Sequence, residues 1–91
     1  MTTVFFLAMQ IREYDPLTVA VGDTVTFSWR GFHGVAEIDS EDCPVSFDNI
    51  LAPETSSGEY EWTATEPGTY YLACQVGSHC SSGQKIKITV E

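Results

Sequence analysis

The run Cys74-Gln75-Val76-Gly77-Ser78-His79-Cys80-Ser81-Ser82-Gly83-Gln84 holds a thiol, an imidazole five residues later and a carboxamide five beyond that. A loop of this length can turn all three side chains toward one point. The chain's only other imidazole, His33, follows the alternating stretch that ends at Trp29. In a β-sandwich, a turn leaving an early strand can lie beside the loop joining the last two strands. One distant His with a Cys and a His from a late loop makes a His2Cys trigonal set. That is the donor set of type 1 (blue) copper, which a weak axial donor such as Met or Gln completes. Thiolate and imidazole hold both Cu(I) and Cu(II). A cage kept stiff by strands on either side then moves little when an electron arrives. The chemistry expected is single-electron transfer on one copper ion.

Each of these residues also has a plainer reading. A histidine on a small β domain is usually a surface residue, and a free cysteine such as Cys74 is often a buried, inert thiol. Two histidines at ligand spacing around a spare thiol favour the metal. Gln84 could be an ordinary strand-start residue facing solvent, with Met9 or a backbone carbonyl as the axial donor. Met9 reads as mid-strand and far from the loop, so Gln84 is preferred. Zinc is the rival metal, but structural zinc sites favour four Cys/His ligands with paired short spacings such as C-x2-C, absent here. Gly31, Phe32, Gly34 and Gly77 leave two readings open: a low apolar surface beside the metal, or turn residues and a stray aromatic.

Composition sets the frame. Ninety-one residues make one domain, with 43% hydrophobic residues for one core and little volume for a deep substrate cleft, so an enzyme is not expected. Thirteen acids against four bases leave a charge of −9, which excludes nucleic acid as a partner because phosphate contacts need clustered Lys and Arg. The cluster Glu37, Asp39, Glu41 and Asp42 is either a solvated face or a means of steering a basic redox partner. No stretch reaches the roughly 20 apolar residues of a membrane-spanning helix. Val4–Met9 is too short for that and lacks a signal peptide's basic flank, so it reads as a buried strand. The opening Met1-Thr2-Thr3 looks like the start of a trimmed or mature chain. Three cysteines suggest one bridge plus one thiol with another task, which fits an extracytoplasmic compartment.

The elements that must position these residues are short strands between turn signals. Strands are expected at Thr2–Ile11, Leu17–Val21, Thr24–Trp29, Gly34–Ile38 after an Arg30–His33 turn, Glu59–Thr65, Thr69–Cys74 and Gln84–Val90. Val25, Phe27 and Trp29 share one face, as do Tyr60, Trp62 and Ala64, and Ile86, Ile88 and Val90. Asp39–Gly58, with Pro44 and Pro53, reads as irregular, with room for one helical turn. Seven to eight short strands without repeats indicate an all-β, antiparallel sandwich or barrel.

The sequence resembles the phytocyanins, in particular their stellacyanin-like branch. The likeness runs through Val21-Gly22-Asp23, Phe27-x-Trp29, His33-x-Val35 and Pro67-Gly68-Thr69-Tyr70-Tyr71. It continues in Cys74, His79-Cys80 and Gly83-Gln84. Cys-x4-His-Cys-x3-Gln with the upstream His is the specific part; the turns alone would be weak. The resemblance implies a cupredoxin Greek-key β-sandwich, with His33, Cys74 and His79 as copper ligands and Gln84 axial. It also implies a Cys43–Cys80 disulfide, consistent with the cysteine count. Such a bridge closes a loop worth roughly 3–4 kcal/mol on the chain-entropy view. The region between the first strand and Val21 is compressed relative to the family. The partner expected is a redox protein or a small electron donor or acceptor, meeting a secreted monomer, whose longer precursor could carry a membrane anchor. Two alternatives are a non-redox adhesion or signalling module and a copper-storage or delivery protein.

Overall fold

A computed structural model describes residues 3–91, so Met1 and Thr2, including the start of the expected first strand, lie outside the described residues. Six strands run through them: β1 (Val4–Ala8), β2 (Leu17–Val19), β3 (Thr24–Ile38), β4 (Asn49–Thr63), β5 (Gly68–Ala73) and β6 (Lys85–Val90). They form one curled sheet in the order β1-β3-β5-β6-β2, with β4 on the other side of β3.

The expected strands on either side of Arg30–His33 are one strand, β3, which passes through a bulge instead of turning. The segment expected to be irregular is also divided differently. Bends occupy Asp39–Ser46 with no helical turn, and β4 already begins at Asn49. Pro53 is tolerated inside β4 because that strand pairs only with β3, and the ladder is interrupted there. Merging these segments brings the count to six. Nor is the sheet wholly antiparallel: β1 runs parallel to β3, and β2 parallel to β6. Both exceptions lie in the first 19 residues, where the 9–16 connector carries the chain from the β3 edge to the β6 edge. Tyr14 latches that connector, its hydroxyl donating to the Ala8 carbonyl (2.7 Å) and accepting from the Gln10 amide (2.7 Å).

Strand alternation places the core as the pattern requires. Val25, Phe27 and Trp29 of β3 are buried with Leu72 of β5 and Ile86, Ile88 and Val90 of β6, so both halves of the sheet contribute to one cluster. Each large apolar side chain buried this way contributes about 1.5–3 kcal/mol. The Gly22-Asp23 turn is pinned by the Asp23 carboxylate, which accepts from the Ala20 amide (2.8 Å) and the Thr3 amide (2.9 Å). These two bonds, Ala20's first, hold its pKa below the usual carboxylate value.

Candidate metal centre

Two pieces of backbone meet at one end of the sheet. The first is the bulge in β3. Its pairing with β4 shifts register between Arg30 and His33, between His33 and Val35, and between Val35 and Ala36. Gly31 enables the kink with φ +93°, a conformation that costs a glycine nothing. Bulges re-aim side chains, and here His33 is left buried.

The second piece is the loop after β5. Its base is closed by the Cys74 amide donating to the Gln84 carbonyl (3.1 Å). Inside it, the His79 amide donates to Val76 (2.9 Å), the Gln84 amide to His79 (3.0 Å) and the Gly83 amide to Cys80 (2.9 Å). Cys80 is bridged to Cys43, 37 residues away, which fastens the loop to the 39–48 segment. Cys74 remains a free thiol and is fully buried.

The sulfur of Cys74 lies 3.7 Å from His33 Nδ1 and 3.4 Å from His79 Nδ1. All three donor atoms fall within 4.8 Å of one another, and the two rings are tilted by 51° with centroids 5.0 Å apart. The pKa of His33 is lowered from its ordinary value, chiefly by burial and then by the neighbouring His79, with the Gln84 side chain pulling the other way. Neutral imidazole is the form that binds metal.

Gln84 is 1% exposed, which removes the solvent-facing reading, and neither its amide oxygen nor its nitrogen has a hydrogen-bond partner. A buried amide left unpartnered costs about 1–3 kcal/mol, so an interaction with a cation at this place would offset a real penalty. The soft thiolate, two imidazoles and one idle amide oxygen fit copper, and no second cysteine is left to build a zinc-type set.

Met9 requires a correction. It lies just past β1 rather than mid-strand, donates its amide to Ser28 (2.7 Å) and is buried. It lines the same small, partly open pocket as Gln84, about 10 Å³ in volume. The parallel pairing of Ala8 with Ser28 carries it along β3 toward the bulge, a neighbourhood that local sequence cannot show. Of the three clustered residues only His79 is half-buried, and Phe32, next to His33 in sequence, is 53% exposed.

One residue escapes sequence reasoning altogether. Gln75 extends its side chain across to β4, donating from Nε2 to the Ala52 carbonyl (3.0 Å). A polar residue after a thiol carries no particular signal, and Gly34, beneath it, reads only as the start of a strand, beside the metal or at a turn.

A plastocyanin-like domain family matches residues 15–84. A blue copper protein of Petunia hybrida is 36% identical over 80 residues, covering 81% of this chain and 29% of that protein. Cucumber peeling cupredoxin of Cucumis sativus is 35% identical over 82 residues, covering 80% of this chain and 56% of that protein. This chain therefore spans under a third of one relative and little more than half of the other. Among solved structures, cucumber stellacyanin with Cu2+ superposes with a TM-score of 0.75 at 22% identity, covering 99% of this chain and 96% of that one. The likeness of fold, together with the match over most of the sequence, makes the chain a phytocyanin-like cupredoxin, a member of the plastocyanin-like domain family.

Proposed function

We propose that residues 1–91 form one domain that carries single electrons on one type 1 copper ion held by His33, Cys74 and His79, with Gln84 as axial donor. The observation that carries this reading is the convergence of a free, buried thiol and two imidazole nitrogens within 4.8 Å. When bound, copper supplies the one-electron couple and the chain supplies everything else. Cys74 offers a thiolate, and the closed backbone of the loop holds it in place. Burial lowers the pKa of His33, which favours the neutral ring. His79 is the one member of the set that is not fully buried, so electrons would pass through its imidazole edge. An amide oxygen is a harder donor than a thioether and favours the oxidised ion.

The reading is of an electron carrier and not an enzyme. Its partner is a redox protein or a small electron donor or acceptor meeting the surface at His79, and the carrier itself is a secreted monomer. The experiment is to add copper to the apoprotein and record its visible and electron-spin spectra and its voltammetry. Intense absorption with a reversible one-electron wave is the expected result. A colourless or freely exchanging complex would overturn the reading in favour of an adhesion module or a copper carrier.

A further inference from the structure

We propose that Gln75 is a positioning residue that clamps the start of the ligand loop to the His33 bulge, setting the spacing between Cys74 and His33. The part of this proposal that concerns copper rests on the metal-site reading above. Gln75 follows Cys74 directly, and Gly34 follows His33, so the two neighbours belong to the two backbone pieces that meet at the site.

The Gln75 carboxamide lies on Gly34. A Cβ at position 34 would collide with Gln75 Nε2 and would stand 2.8 Å from the Ala52 carbonyl oxygen. Gly34 is not among the glycines with positive φ, so what it provides is room. Through that room Gln75 Nε2 reaches the Ala52 carbonyl at 3.0 Å. Ala52 pairs with Val35, between two of the register shifts of the β3–β4 ladder. The side chain thus spans the bulge at the point where the regular ladder fails, replacing a missing strand-to-strand tie with one anchored beside the thiol.

Gln75 is a poor choice for stability alone. Its Oε1 is buried without a partner, and a dry acceptor costs at least what one neutral hydrogen bond returns. An apolar side chain filling the same space would avoid that loss. The amide is explained if its donor fixes a distance that packing alone would leave loose, since a site must be held to within about half an ångström.

The test compares wild type with Gln75→Leu, which keeps apolar bulk but cannot donate, and with Gln75→Ala, which loses both. In the apoprotein, the rate at which a small thiol reagent modifies Cys74 reports opening between loop and bulge. That rate should rise about tenfold in Gln75→Leu, the effect of losing one hydrogen bond, while the thermal midpoint stays near wild type. In copper-loaded protein the electron-spin hyperfine splitting and the reduction potential should both move. Unchanged thiol reactivity in Gln75→Leu would overturn the clamp. So would a lowered midpoint in both variants with Cys74 reactivity unaltered, since that is the mark of a packing role. Should wild type fail to turn blue, the metal reading falls, and the thiol rates still decide the clamp.

Discussion

β3 is two different strands in one. From Thr24 to Trp29 it pairs residue for residue with Thr63 to Gly58, and Val25, Phe27 and Trp29 fill the core. From Arg30 to Glu37 its ladder with β4 slips three times. That second stretch carries His33 and receives the Gln75 side chain, and it lies near Gln84, whose buried amide has no partner. The regular half gains stability from a repeating pattern. The irregular half gives up ladder hydrogen bonds and leaves amides dry to gather three donors around a point. Among the described residues, three of the four buried polar atoms without a partner belong to Gln75 and Gln84 beside the candidate site, and the fourth is Thr26 Oγ1 in the regular half.

That division can be broken by exchanging the roles of the two halves. The largest effect expected is at Cys74→Ser, which should abolish the intense visible absorption of the copper-loaded protein. The unfolding free energy of the apoprotein should change by only about 1 kcal/mol, as for a typical single replacement. Absorption spectra and denaturant titration check both. Trp62→Ala, opposite Val25 in the regular half, should do the reverse. Removing this buried indole, which meets Tyr70 edge-on, should cost about 3–5 kcal/mol. The protein that remains folded should show an unaltered copper spectrum. A Trp62→Ala protein with wild-type stability would dissolve the contrast.

Two finer tests act on the donors in and beside the irregular half. Gln84→Met should raise the reduction potential, since a thioether favours Cu(I) more than an amide oxygen does; voltammetry that shows no rise would exclude Gln84 as the axial donor. The smallest effect concerns pH. His33 has its pKa lowered in the folded apoprotein, so the unfolded chain takes up its proton more readily. Stability is therefore unaffected above the ordinary histidine value of about 6.5 and declines as pH falls below it, until the folded form is protonated too. The loss should be smaller in His33→Gln, measured as the difference between the two proteins' stabilities at each pH. Equal slopes would mean that His33 is not held neutral by its surroundings.

The same contrast explains what could be read from sequence. The regular half is written in a period of two, so the inward faces of Thr24–Trp29 and of the final strand follow from residue type alone. His33, Cys74 and His79 stand out because imidazoles and thiols are so few. The bulge is not legible in this way. Gly31 and the lapse in alternation at Arg30–His33 look like a turn, and only pairing with Thr55 and Ser57, far along the chain, makes them a strand. The parallel placement of β1, and with it the approach of Met9 to Gln84, depends on contacts across some 20 residues or more. Gln75 matters only through Gly34 and Ala52, which no local pattern connects to it.

The hydrogen bond from the Cys74 amide to the Gln84 carbonyl has an engineering consequence. It acts as a buckle at the root of residues 75–83, so the loop's two ends are set where β5 stops and β6 starts, while Gln75 and Cys80 tie its body to β4 and to the 39–48 segment. Grafting loops of different length that keep Gln75, His79 and Cys80 would reshape the metal's surroundings while leaving β5 and β6 in register. The reduction potential of such chimeras could then be tuned separately from their melting temperature.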